Sequence, residues 1–193
     1  FGIRIVEDGR YGYAHLVDPS SASRAIQQAL SIAKRSPSID GFELPGNESA
    51  SKVGGMKDKA ILDMGPEDLL EQGDQVLTRV TELDSRAVAV GGGIGVGAGA
   101  GALVTSSGIE NGGVHTSHGI GIHVSIDEDE HLTSSYEGES SRSILKDLTA
   151  SVDKAVHWSQ ATREKIPGGA TEDCPVLMTS GGFSPLFSVV VPT

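Results

Sequence analysis

The longest regular pattern of apolar and polar positions lies between Arg86 and Ile126. From Val88 to Val104 the even positions read Val, Val, Gly, Ile, Val, Ala, Ala, Ala, Val, and the odd positions between them are Ala or Gly up to Leu103. Successive side chains of an extended chain point to opposite faces, so this period of two predicts a strand with one apolar face and one nearly bare face. Turn-forming residues follow from Thr105 to Gly113. Val114, Thr116, His118, Ile120, Ile122, Val124 and Ile126 then alternate with His115, Ser117, Gly119, Gly121, His123 and Ser125. Two long strands joined by a Gly-rich connection predict an antiparallel pair. Glycine weakens a strand unless another backbone or a ligand lies close. The bare face, with Gly95, Gly97 and Gly99 at its middle, therefore calls for a neighbour, either a partner subunit or an extended peptide added as a strand.

The remaining segments read as helices and short strands. Phe1 to Val17 alternates loosely around Asp8-Gly9, the strongest short hairpin signal, and predicts two strands. Asp18-Pro19 supplies an N-cap and a first-turn proline for a helix over 19–35, with Ala22, Ala25, Ile26, Ala29, Leu30 and Ala33 as its stripe. Residues 37–65 have little periodicity, with Lys59 to Leu62 as a candidate edge strand. Pro66 opens a helix striped by Leu69, Gly73, Val76, Val80 and Leu83. Leu132 to Tyr136 is a candidate return strand, and Ser140 or Ser141 a candidate cap for a helix with Leu145, Leu148, Val152, Ala155, Val156 and Ser159 inward. Pro175 to Thr179 predicts a short buried strand, with Ser184-Pro185 starting a last helix. Segregated strands and helices predict an α+β fold, a mainly antiparallel sheet with the long Gly-rich pair and helices packed on one face. The expected division is residues 1–170 as one α+β domain and 171–193 as the start of a second.

Composition narrows the partners. The chain has 193 residues, with 15 Lys and Arg against 26 Asp and Glu, a net charge of −11. That balance opposes a nucleic-acid backbone as the main partner. One cysteine, Cys174, excludes an intramolecular disulfide framework and fits a reducing compartment, hence a cytoplasmic location. No run approaches the roughly 18 apolar residues of a membrane span, so no membrane association is expected. The start at Phe1, without Met, and the end at Thr193, just after an apolar run, fit a piece of a longer protein.

Chemistry-bearing motifs are sparse. Gly91 to Gly101 is rich in glycine but has no strict G-x-G-x-x-G or P-loop register, and no amphipathic helix follows it, which leaves nucleotide binding a weak alternative. His115, His118 and His123 cannot surround one ion from a single strand, because His118 points opposite to the other two. Asp127 to Glu130 lacks the ligand spacing of a calcium loop and reads as a solvated tip. Asp153 and His157 lie one helical turn apart with no nucleophile beside them, and no G-x-S-x-G elbow occurs. Cys174, without an adjacent basic group, reads as buried and inert.

Taken in order, several short patterns resemble the N-terminal domain of the TldD/PmbA family, known as modulators of DNA gyrase. They are Gly2-Ile-Arg-Ile-Val-Glu-Asp-Gly-Arg-Tyr-Gly-Tyr-Ala14, the Asp18-Pro19 helix with Ala25 to Ala33, Leu44-Pro45, Gly65-Pro66-Glu67, Ser107-Gly108, Thr116-Ser-His118, Asp127-Glu128-Asp129, Tyr136-Glu137 and Pro175-Val-Leu-Met178. The resemblance covers nearly the whole chain. It implies an intracellular metallopeptidase system for peptide maturation and degradation. TldD-type members carry a His-Glu-x-x-x-His helix, in which two histidines hold zinc and the glutamate serves as general base. Counted without gaps from Pro175, that motif falls on Ser188-Val-Val-Val-Pro-Thr193, with Ser188 and Thr193 in place of the histidines and Val189 in place of the glutamate. No histidine follows His157. The departure resembles the non-catalytic PmbA (TldE) subfamily, with no catalytic residue, metal or cofactor on this chain. Zinc is then expected in a TldD-like catalytic partner, with a peptide or unfolded protein as substrate; self-association as a dimer is the other pairing. The alternative is a zinc metallopeptidase whose ligands all lie beyond Thr193.

Overall fold

The computed structural model describes residues 1–42, 44–46, 51, 53–128, 131–163 and 175–190. They divide into two compact units, one of residues 1–64, 96–118 and 141–144, the other of residues 65–95, 119–140 and 145 onward.

In the first unit, β1 (Gly2–Glu7) and β2 (Arg10–His15) pair antiparallel, with Gly2 opposite His15 and Glu7 opposite Arg10. Asp8 and Gly9 between them have φ of 49° and 71°. Two left-handed residues are what a two-residue hairpin turn demands, and Asp-Gly tolerates them. The Asp18 carboxylate accepts the Ser20 N–H at 2.9 Å and starts a 3-10 turn, Pro19–Ser21, that runs into α1 (Ala22–Ala33). The buried face of α1 is Ala25, Ala29 and Ala33, of which Ala25 and Ala29 pack with Ala14 and Leu16 of the hairpin and its exit. Small residues are used because the backbones nearly touch. A Cβ on Gly12 of β2 would strike the Ala29 carbonyl and lie 2.7 Å from the Ala33 nitrogen, so only glycine fits.

Lys59–Asp63 forms a short helix, α2, rather than the edge strand expected there. Asp58 decides it by accepting the Ala60 N–H at 2.9 Å as an N-cap. Four residues carry too little periodicity to separate the two outcomes. Asp58 also ties its surroundings together: its N–H donates to Thr116 Oγ1 at 2.9 Å, and its carboxylate accepts the Ile144 N–H at 3.1 Å. Thr116 is fully buried and donates its hydroxyl to the Arg142 carbonyl at 2.7 Å.

In the second unit, α3 (Pro66–Leu83) begins where the Asp68 carboxylate accepts the Gly65 N–H at 2.7 Å. The sheet consists of β3 (Ala87–Val104), β4 (Glu110–Glu128) and β5 (His131–Ser141) in the order β3-β4-β5, and its residues are shared between the two units. Gly91 faces His123, Gly97 faces Ser117 and Gly99 faces His115, a descending match that makes β3 and β4 antiparallel. The connection is tighter than expected, closed by Thr105 N–H donating to the Ile109 carbonyl at 2.9 Å. Ile120, Ile122, Val124 and Ile126 of β4 bury with Val76 and Val80 of α3 and with Val152, Ala155 and Val156 of α4 (Thr149–Ala161). The α+β class with antiparallel strands holds, but as two sheets.

Several sequence expectations in this unit need correction. Val88 and Val90 are 58% and 56% exposed, whereas Ala87 and Ala89 face the core, so the first turns of β3 bury the odd positions. Ile94, an even position, packs on the core. The alternation changes phase around Gly92, whose φ is 130°, the behaviour of a bulge. The fourth helix starts at Thr149, not near Ser140 and Ser141, which belong to β5; the Asp147 carboxylate accepts the Thr149 N–H at 2.9 Å and sets the start. Pro175 to Thr179 is exposed and non-regular, not a buried strand. The last helix, α5 (Ser180–Val190), begins earlier than Ser184 and contains Pro185, because Thr179 Oγ1 accepts the Gly182 N–H at 3.2 Å and caps it. Cys174 and residues 129–130 of the acidic tip lie outside the described residues.

Candidate functional site

The features that can bind something gather on β3. It is an edge strand, paired with β4 on one side and with no strand on the other among the described residues. Its 18 residues therefore present a row of backbone donors and acceptors, a template for a further strand. Gly95 is exposed, and a Cβ there would meet nothing within 4 Å. At Gly97 and Gly99 the bare face is covered by β4 itself. A Cβ would come within 2.9 Å of Ser117 Oγ and 2.6 Å of a His115 ring carbon. The three glycines are thus inequivalent: one open, two roofed by side chains that can rotate.

Gly92 is fixed by its surroundings. A side chain there would run into the Gly121 carbonyl and approach Ile122 Cα to 2.9 Å, at a φ unfavourable for L-residues. The bulge places Gly91, Gly92 and Gly93 beside an apolar groove of about 620 Å³, lined also by Leu69, Leu70, Gly73 and Leu77 of α3. Leu70 and Leu77 are 70% and 54% exposed. The inward stripe expected of α3 runs through Leu69, Gly73 and Val76 and leaves out these two leucines. Their spacing of seven, off that stripe, was the available signal for a second apolar face.

The histidines do not form a centre. His115 lies over Gly99 and is exposed, His118 is fully buried, and His123 is half-buried beside Gly91. Burial pushes the His118 imidazole below its ordinary pKa and favours its neutral form. Among the described residues no group of three or more His, Cys, Asp or Glu is arranged to hold a metal ion. Ser188 and Val189, the positions at which the family resemblance would put a zinc-binding His and its Glu, lie on α5, and Ser188 donates its hydroxyl to the Pro185 carbonyl at 2.7 Å. These side chains offer zinc neither imidazole nor carboxylate; Thr193 lies outside the described residues. Asp153 pairs with Arg79 at 2.8 Å rather than with His157, whose ring stacks edge-on with Trp158. Among the described residues no helix is long and apolar enough to cross a membrane.

A charged cluster closes one end of the second unit. Asp84, 9% exposed, accepts hydrogen bonds from the Arg86 guanidinium at 2.8 and 2.9 Å and from Gln160 at 3.1 Å. These partners hold its carboxyl far below the usual range. Arg86 also reaches Glu128 at 2.5 Å, and Arg163 pairs with the same carboxylate.

No protein-family model matches the sequence, and no curated protein matches it. Solved structures do. TldE from Thermococcus kodakarensis superposes with a TM-score of 0.72 at 21% identity, over 81% of this chain and 36% of that one. A Thermotoga maritima protein named as a modulator of a DNA gyrase superposes with a TM-score of 0.67 at 12% identity, over 87% of this chain and 39% of that one. The chain thus spans well under half the length of either. Over that span it has the α+β fold found in TldE and in the Thermotoga protein.

Proposed function

We propose that this chain is the N-terminal domain of a non-catalytic, PmbA/TldE-like subunit in a cytoplasmic metallopeptidase system that matures and degrades peptides. The observation that carries the reading is β3: a long edge strand, with no strand on its outer side among the described residues and bare at Gly95. Such an edge receives a further strand, from a TldD-like partner subunit or from an extended peptide, through backbone hydrogen bonds. Its likeness to TldE supports the assignment at the level of fold. In this reading zinc belongs to the partner, and this chain supplies shape and surface.

Co-expression with a TldD-type subunit tests it. A stable complex is expected, with zinc in the partner and peptide hydrolysis only when both are present. Gly95→Val is the cleanest variant, since its side chain enters open space within this chain. It should weaken assembly or peptide hydrolysis while the isolated chain keeps its melting temperature. Gly97→Val and Gly99→Val should act in the same direction but also displace Ser117 and His115. Unchanged assembly and hydrolysis in all three variants would refute the role of this strand. Stoichiometric zinc and peptidase activity in the full-length protein without a partner would favour the metallopeptidase alternative.

A further inference from the structure

We infer that the groove between α3 and Gly91–Gly93 is a binding site for an apolar side chain of an extended peptide whose flanking residues are cationic. Its volume of about 620 Å³ falls within the roughly 300–1,000 Å³ typical of ligand pockets. Its strand side is lined by Ala89, Val90, Ile94, Ile120 and Ile122 and by three consecutive glycines, Gly91 to Gly93, at which a guest backbone can approach closely. Its wall contains Gly73, in the middle of an 18-residue helix, where a Cβ would meet nothing within 4 Å. Glycine in a helix interior costs stability relative to alanine, and here the missing side chain leaves the groove open. Leu70 and Leu77 border it with their side chains largely in solvent.

Charge selects the guest. From Pro66 to Thr78, α3 carries Glu67, Asp68, Glu71 and Asp74 and no Lys or Arg. The strand residues lining the groove are uncharged. The next base, Arg79, is already engaged by Asp153 and Glu82. None of the α3 carboxylates lines the groove; Glu67 and Asp74 follow the lining residues Pro66 and Gly73 on the helix and stand outside its rim, where they favour Lys- or Arg-flanked segments over acidic ones.

The test uses the purified protein alone and a fluorescein-labelled peptide, Lys-Leu-Val-Leu-Lys, followed by fluorescence polarisation. It should bind, and the same core flanked by Asp should bind more weakly by on the order of tenfold at low salt, the gap narrowing as salt is added. Gly73→Leu should fill the groove and weaken binding by on the order of tenfold without lowering the melting temperature. Glu71→Lys with Asp74→Lys should reverse the preference between the two flanks. No binding by the wild type, equal binding of the two peptides, or an unchanged affinity in Gly73→Leu would overturn the proposal. The readout needs no catalytic subunit. Peptide binding without complex formation would defeat the functional reading above and leave this one standing, and complex formation without peptide binding would do the reverse.

Discussion

The two long strands lie side by side and have almost the same length, 18 and 19 residues, yet they solve different problems. In β4 the side chains at 120, 122, 124 and 126 are all at most 5% exposed and form the floor of a core. In β3 Val88 and Val90 are more than half exposed, and glycine occupies most of the bare face. Both sequences alternate with a period of two. What separates them is place in the sheet: among the described residues β4 is paired on both sides, while β3 has one partner strand and a bulge that turns Val88 and Val90 outward. Alternation identifies a strand; it does not say which face is buried or whether an edge is covered.

The sharpest way to break this comparison is to put side chains on the glycines of β3. Gly92→Val should cost about 4 kcal/mol or abolish folding, because backbone blocks the new group and φ opposes it. Gly95→Val, three residues along, should stay within about 0.5 kcal/mol of wild type in urea unfolding. Equal losses at both positions would mean that the phase change is not anchored at Gly92.

Truncation sharpens it next. Ile122→Ala in β4 removes a side chain that is 3% exposed and should cost about 3 kcal/mol. Val90→Ala in β3 should cost less than about 0.5 kcal/mol.

Where the two strands are tied at one end, pH becomes the probe. Asp84 has a depressed carboxyl pKa in the folded state, caused first by the Arg86 hydrogen bonds and then by Gln160. A lowered folded pKa contributes stability that is complete above the unfolded value near 3.9 and is lost as pH falls through the folded one. Asp84→Asn should therefore lower stability by about 2 kcal/mol at neutral pH. That deficit should shrink progressively in urea melts below about pH 4. A deficit independent of pH would show that the carboxylate's charge is not what matters.

The smallest effect is expected at the Arg79–Asp153 pair between α3 and α4, with side chains 35% and 47% exposed. Asp153→Ala should change stability by about 0.5 kcal/mol or less, and less again in high salt.

Much of this was legible in the sequence wherever a local chemical rule decides the outcome. Asp8-Gly9 specified a hairpin because both residues accept positive φ; Asp18-Pro19 and Gly65-Pro66 marked helix starts because capping and a fixed φ act within a few residues. The outcome was not legible where it depends on distant atoms. Lys59 to Leu62 became helical through the cap from Asp58, and Val88 and Val90 turned outward through a bulge packed against Gly121. The bare face of β3 was readable, but its roofing by Ser117 and His115 required the register with β4. The groove was hidden because Leu70 and Leu77 lie off the inward stripe.

Hydrogen exchange resolved along residues 88–99 and 120–126 tests the open edge most directly. In the protein alone, the amides of Ile120 to Ile126 should exchange only by global unfolding, while the outward-facing amides of β3 exchange orders of magnitude faster. On addition of the TldD-type subunit, or of an extended peptide, those β3 amides should become protected while β4 changes little. Uniform protection of β3 in the protein alone, or no gain in protection with either guest, would contradict the account.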